Sequence, residues 1–201
     1  MNKLVIFDLN KTLIAENSWL NLNLAMGVTP DEDNMLMKWG DEGVISDAEG
    51  QEILCSIYQK RGDVSKQNIE RILSDFTYLP QAEATVKALL AEGHEIALIS
   101  GSMDILVQKV AGELGIEHWA CNNHFVFDEH DQLTAIKTVA NDTNYKAQQA
   151  RKLSSDLQIN LADTICVGDG ANDETLFDIC GTSITFADSP IAAKATHTIS
   201  N

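Results

Sequence analysis

The chain has 201 residues, 44% of them apolar and 22% charged, which suits one domain with a full core or one domain with a small insertion and excludes disorder. A formal net charge of -16 disfavours nucleic acid and anionic lipid as partners, so any phosphate site must be made locally positive by a metal ion, a lysine and backbone N–H groups. The longest apolar runs, such as Leu4-Val5-Ile6-Phe7 and Ile96-Ala97-Leu98-Ile99, are too short to cross a bilayer. The amino terminus has no secretion signal, so a cytoplasmic protein with no membrane or nucleic-acid partner is expected.

In chain order, Lys3 to Phe7 is an apolar run ending at Asp8 and predicts a strand buried on both faces. From Trp19 to about Phe76 apolar residues recur at helical spacing (Leu20, Leu24; Ile53, Ile57; Ile69, Ile72, Leu73, Phe76), and strand-like runs are absent. After Pro80 strands and helices alternate. Gln81 to Glu92 predicts a helix ended by Gly93, His94 to Ile99 a strand, and Ser102 to Leu114 a helix closed by Gly115. Phe125 to Ile136 suggests a hairpin around Asp128-Glu129-His130-Asp131. Tyr145 to Leu157 reads as a helix, Thr164 to Val167 as a strand, Asn172 to Ile179 as a helix and Ser183 to Phe186 as a last strand. The fold class is therefore α/β, a doubly wound parallel sheet with a small inserted helical cap. Residues 1–15 and 78–201 form the core and 16–77 the cap. No internal repeat is present. Cys55, Cys121, Cys166 and Cys180 lack metal-type spacing and predict free thiols rather than a disulfide framework. The five histidines are not spaced as metal ligands either and are assigned no role.

Ligands of such sheets bind at the carboxyl ends of the strands. Three predicted strands end on polar residues: at Asp8, at Ser100-Gly101-Ser102, and at Asp169-Gly170. A strand-end carboxylate such as Asp8 can attack phosphorus, and attack by one anion on another needs a cation between them. Magnesium suits oxygen ligands and phosphates. Asp169 and Asp173 supply further carboxylates; they could equally do no more than cap the helix that follows. Ser100 could hold phosphate oxygens together with N–H groups at a helix start, or serve as an ordinary cap. Lys146 could neutralise Asp8 and a phosphoryl group, or be a solvated surface lysine.

Taken together, Asp8-Leu9-Asn10-Lys11-Thr12, Ser100, Lys146 and Gly168-Asp169-Gly170-Ala171-Asn172-Asp173 resemble, in order and spacing, the four motifs of haloacid dehalogenase phosphatases. The likeness is to the phosphoserine phosphatase group, whose small helical cap lies between the first and second motifs. The resemblance implies a magnesium-dependent phosphomonoesterase acting on a small phosphorylated metabolite, with Asp8 as nucleophile. Asp8, the backbone carbonyl of Asn10 and Asp169 would hold the metal, with Asp173 supporting. Ser100, Gly101 and Asn172 would bind phosphate beside Lys146, and the cap would act as a lid.

The sequence departs from that family at two places. Where the family has a second aspartate, two residues after the nucleophile, to protonate the leaving group and then activate water, this chain has Asn10. An amide donates hydrogen bonds but cannot shuttle a proton. Asn10 should leave a slow enzyme or one that stalls as an aspartyl-phosphate; an introduced inactivating change, a naturally weak phosphatase or phosphotransferase, and a catalytically silent protein binding a phosphorylated ligand in a regulatory role all fit. Where phosphoserine phosphatases read the substrate with a glutamate and a cap arginine, this chain has Asn17, next to Glu16, and Leu54, with Lys60 and Arg61 the nearest basic residues. Phosphoserine is therefore not the expected substrate.

Overall fold

The computed structural model describes residues 2–140 and 142–200. Its described residues form a seven-stranded sheet of order β4-β3-β2-β1-β5-β6-β7, with strands Leu4–Phe7 (β1), Glu95–Met103 (β2), His118–Phe127 (β3), Leu133–Thr138 (β4), Thr164–Val167 (β5), Thr182–Phe186 (β6) and His197–Ile199 (β7). All neighbours are parallel except β3 and β4, which form an antiparallel hairpin at one edge. The predicted doubly wound α/β sheet is thus observed.

Pleating separates the strand side chains into two cores. Val5, Phe7, Ile96 and Leu98 face one layer, covered by helices Ala82–Ala91 (α5) and Asp104–Leu114 (α6) through Val86, Leu106, Val107 and Val110. Leu4, Ile6, Ala97 and Ile99 face the other, covered by helices Asp142–Leu157 (α7) and Glu174–Phe177 (α8) through Tyr145, Ala150, Leu176 and Phe177.

Between β1 and α5 run helices Ser18–Ala25 (α1), Pro30–Asp41 (α2), Asp47–Arg61 (α3) and Lys66–Leu73 (α4). Their starts are written locally. Thr29 with Glu32 and Ser46 with Glu49 form reciprocal capping boxes, and Asn17 and Ser65 accept from the first-turn backbone of α1 and α4. Leu22, Tyr58, Ile69 and Leu73 from these helices, with Met26 just after α1, join the first core layer and are continuous with Leu9, Leu13 and Ile14.

The chain enters and leaves this helical segment side by side. The Ala15 N–H donates to the Thr77 carbonyl (2.9 Å), the Leu79 N–H to the Leu13 carbonyl (2.9 Å), and the Thr77 N–H to the Glu16 carboxylate (2.9 Å). At its far side the segment is tied to the β3–β4 hairpin. Leu133 N–H donates to the Val64 carbonyl (2.9 Å), Lys66 N–H to the Asp131 carbonyl (2.8 Å), and Gln59 Nε2 to the Leu133 carbonyl (3.1 Å).

Four features correct the sequence reading. Strand β2 runs on to Met103 through a bulge, so Ser100 to Ser102 lie in the strand and α6 begins only at Asp104. Strand β3 starts at His118, ahead of the expected hairpin, and pairs in parallel with β2. The expected helix over Asn172 to Ile179 is broken into a 3₁₀ turn, Ala171–Asp173, and the four-residue α8. Cys166 and Cys180 form a disulfide with Cα atoms 6.4 Å apart, while Cys55 and Cys121 are free as expected. The sequence carries no spacing signal for this bond; it forms because β5 and the chain after α8 are packed side by side. Among the described residues, no helix is long and apolar enough to cross a membrane.

Candidate active site

The parallel register brings the three polar strand ends to one place. Phe7 lies opposite Leu98 of β2 and Val167 of β5, so Asp8 and Gly168-Asp169 follow directly on β1 and β5, and Ser100 lies two residues beyond Leu98 within the adjacent β2. Asp8 continues the β1 ladder by donating its N–H to the Val167 carbonyl (2.9 Å). The chain then turns sharply. Thr12, Leu13 and Ile14 all donate to the Leu9 carbonyl, and Lys11 adopts φ 54°, a left-handed conformation that strains a non-glycine residue.

Lys146 is the centre of the arrangement. It is not the solvated surface lysine that its type alone would suggest: its side chain is 0% exposed. An ammonium has three donors. Here they reach Asp8 Oδ1 (2.7 Å), Asp173 Oδ1 (2.6 Å) and Asn172 Oδ1 (3.4 Å). Burial alone would push the Lys146 pKa down, but the charges of Asp173 and Asp8 outweigh it and hold the ammonium form well above the usual lysine range. Asp8 is 6% exposed, and no hydrogen bond within the described residues occupies its second oxygen, Oδ2.

Asp173 does two jobs at once. Its Oδ1 meets Lys146, and its Oδ2 accepts the N–H groups of Asp169 and Gly170 (both 3.1 Å), which shapes the loop. The plain helix cap that the sequence left open is not what is observed: Asp173 precedes α8 but makes no side-chain cap bond to it, and its carboxylate instead closes the turn before it and pairs with Lys146. Burial raises the Asp173 pKa, and the Lys146 ammonium opposes that rise. The loop needs glycine at 168, because a Cβ there would lie 2.3 Å from Asp173 Cγ. Asp169 is half-buried and receives Thr12 Oγ1 at 3.5 Å. Burial, and next the charge of Asp8, push its pKa up to about 6. Asp8, Asp169 and Asp173 each offer a carboxylate oxygen, and these oxygens lie within 4.8 Å of one another.

Ser100 is buried, and its Oγ accepts the Ser102 N–H (3.2 Å), leaving the hydroxyl proton to donate. It does not sit at a helix start as expected, since α6 begins four residues later. The Gly101 carbonyl is turned away by two donors, Trp19 Nε1 (3.2 Å) and Asn123 Nδ2 (2.9 Å). The Asn10 side-chain oxygen accepts the Ser18 N–H (3.0 Å), and Ser18 Oγ meets Ser102 Oγ (3.0 Å). Sequence reasoning missed Ser18, Trp19, Asn123 and also Ser189, whose hydroxyl donates to the Asp169 carbonyl (2.9 Å). A buried asparagine pair within a strand, Asn122-Asn123, was the one available signal.

The two remaining sequence expectations concern the helical segment. Asn17 caps α1, accepting from the Leu20 N–H (3.3 Å), and Leu54 is buried in the apolar core. Arg61 is committed to a bidentate pair with Glu32 (2.7 and 2.9 Å).

This is a carboxylate cluster around one buried ammonium, at the strand ends of a doubly wound sheet. Haloacid dehalogenase-like hydrolases match residues 5–178, and the chain belongs to that family. Within it the chain is a phosphoserine phosphatase-like enzyme of the phosphatase type. It is 30% identical over 190 residues to a phosphoserine phosphatase of Methanocaldococcus jannaschii, covering 94% of this chain and 87% of the relative. It is 26% identical to the phosphoserine phosphatase of Archaeoglobus fulgidus, covering 92% of this chain and 52% of that longer protein. A substrate-bound phosphoserine phosphatase complex superposes with a TM-score of 0.84 at 27% identity, over 100% of this chain and 94% of that one. A phospho-aspartyl intermediate analogue of phosphoserine phosphatase gives 0.83 at 28% identity, with the same coverage.

Proposed function

We propose that the chain hydrolyses a small phosphate monoester through an aspartyl-phosphate on Asp8. The observation that carries this reading is the wholly buried Lys146 bonded to Asp8 and Asp173: three charges are removed from water and fixed at the end of β1, an arrangement costly unless used. Asp8 Oδ2, the oxygen not bonded to Lys146, attacks phosphorus. Lys146 offsets charge at Asp8 and the phosphoryl group, and Ser100, Gly101 and Asn172 hold the phosphate oxygens. Water then attacks the aspartyl-phosphate and restores Asp8.

The hard oxygen donors fit magnesium. Asp8, Asp169 and the backbone carbonyl of Asn10 would hold it. Asp173, with both oxygens already engaged, supports the loop and Lys146 rather than coordinating directly. Bound there, the ion would offset the negative charge of the carboxylate and of the phosphate. Residues 16–77 act as a lid over the core formed by 1–15 and 78–201; the paired connectors at 13–15 and 77–79 support these limits.

The substrate is a small phosphorylated metabolite, and neither Asn17 nor Leu54 equips the lid to read a free amino acid. A phosphoserine substrate is supported only by the names of the relatives. Asn10 makes turnover slow, because the proton shuttle expected at that position is missing. The same residue favours a second reading, a protein that binds a phosphorylated ligand with little or no turnover in a regulatory role. Magnesium-dependent phosphate release from an aryl phosphate and a panel of small esters tests the first reading. Release is expected from the native chain and is lost in Asp8→Ala. Equal release from Asp8→Ala would exclude the mechanism, and binding of esters without release under any condition would favour the second reading.

A further inference from the structure

Asn10 follows Asp8 by two residues, and its carboxamide is not free to turn. Its Oδ1 faces the Ser18 backbone N–H at 3.0 Å. An N–H can only donate, so the oxygen must be the atom on that side, and Nδ2 with its two protons points the other way. Nδ2 has no hydrogen-bond partner among the described residues, although Asn10 is half-buried. Ser18 is the first residue of α1, where the N–H has no partner inside the helix. Its own side chain is anchored, with Oγ meeting Ser102 Oγ at 3.0 Å, and the residue is 5% exposed, so water does not compete for the N–H.

We propose that Ser18 is a positioning residue that locks Asn10 as a hydrogen-bond donor toward a phosphoryl group on Asp8, so that this chain assists formation of the aspartyl-phosphate but not its hydrolysis. The inference rests on the phosphatase reading above. In the first step an Asp8 oxygen bonds to phosphorus and the ester P–O bond breaks. The leaving oxygen keeps the electron pair and takes its proton from solvent. The Asn10 amide bonds to phosphoryl or leaving oxygen without giving up a proton. In the second step a water oxygen bonds to phosphorus and the bond to Asp8 breaks, returning the electron pair to the carboxylate. The water's proton must then pass to solvent, because an amide held as a donor has no site to receive it. The phosphorylated protein therefore outlives the first product. Were the amide to flip, two N–H donors would face each other at Ser18 and a carbonyl oxygen would face the phosphoryl anion, so the backbone N–H sets the orientation.

Ser18→Pro removes that N–H with little disturbance of the helix. Proline is tolerated at the first helical position, and Asn17 before it has φ -90° and ψ 99°, extended and outside the helical region that a following proline disfavours. Ser18→Ala keeps the N–H and removes the contact to Ser102. Both are made in the native chain and in Asn10→Asp, whose carboxylate presents an oxygen whichever way it turns. The probe is beryllium trifluoride with magnesium, a phosphoryl mimic that bonds to aspartate, titrated by fluorine NMR. Hydroxylamine-labile phosphoprotein formed from an aryl phosphate is measured in parallel. Ser18→Pro is expected to weaken binding of the mimic on the order of tenfold in the native chain. The loss in Ser18→Ala is smaller, and Ser18→Pro has little effect in Asn10→Asp. Phosphoprotein accumulates in the native chain and not in Asn10→Asp. An equal loss from Ser18→Pro in both backgrounds makes Ser18 structural only and overturns the proposal, as does an equal loss from Ser18→Ala. Phosphate release that survives Asp8→Ala, with no mimic bound in any variant, removes the phosphatase reading and this inference with it.

Discussion

On the sheet side of the site, the charged groups hold one another. Lys146 spends its three protons on Asp8, Asp173 and Asn172, and Asp173 in turn fixes the backbone of Asp169 and Gly170. On the helical side, polar side chains serve the segment itself. Tyr58 donates to Asn23, Asn23 donates to Asp33 (2.6 Å), Arg61 is spent on Glu32, and Asn17 caps its own helix. The segment reaches the site through the backbone N–H and the hydroxyl of Ser18 and the indole of Trp19, none of them charged. The difference teaches that the chemistry is preorganised in the core, whereas the helices contribute shape and position and bring no committed charge to read a substrate.

The largest expected effect comes from the one core position that breaks the pattern. Asn10→Asp should raise phosphate release by about 10²–10⁴-fold, the range for a restored acid–base group. No gain in a continuous phosphate assay would mean that the helical side, not Asn10, limits this protein. Lys146→Met should both abolish release and destabilise the fold by about 3–5 kcal/mol in urea unfolding, since Asp8 and Asp173 then remain buried without their cation. An unchanged midpoint would show that water reaches the pair and the core is less preorganised than its distances imply.

Reduction of Cys166–Cys180 should cost about 3 kcal/mol, the chain-entropy value for closing a loop of this size, read as a lowered Tm with a thiol reductant. The smaller pH effect follows from Asp169. Its carboxyl is raised from 3.8 to about 6, so in the metal-free protein its stabilising contribution is present at low pH and lost as pH rises through that window. Magnesium takes the deprotonated form, so its affinity, measured by calorimetry, should rise with pH up to about 6 and level off above. The smallest effect lies on the helical side. Glu32→Gln should leave phosphate release within about twofold, because a surface ion pair does little beyond its own helices.

The sequence made the core half legible and left much of the rest unreadable, for physical reasons. β1 and β5 were plain because apolar runs stop abruptly at Asp8 and Gly168, and a carboxylate at such a stop has few uses. Gly101-Ser102 looked like a helix start, but a bulge keeps them in β2, and nothing local distinguishes the two. His118 to Asn123 lacks clean alternation because Asn122 and Asn123 are buried polar residues satisfied by distant partners, the Ala140 and Gly101 carbonyls. β7 is three exposed residues without an apolar signature. The Ser18–Asn10 and Cys166–Cys180 contacts are tertiary. The first uses a backbone atom that every residue but proline possesses, and so leaves no mark in the sequence.

The tie between the helical segment and the β3–β4 hairpin has a consequence for hydrogen exchange. Leu133 and Lys66 give their N–H groups across that boundary, to Val64 and Asp131. Their exchange therefore reports neither the hairpin nor the helices alone, but the opening of the two together as one cooperative unit. A movement of the helices away from the site must either break these two bonds, releasing both amides at the same rate, or draw the edge of the sheet along with it and leave both protected.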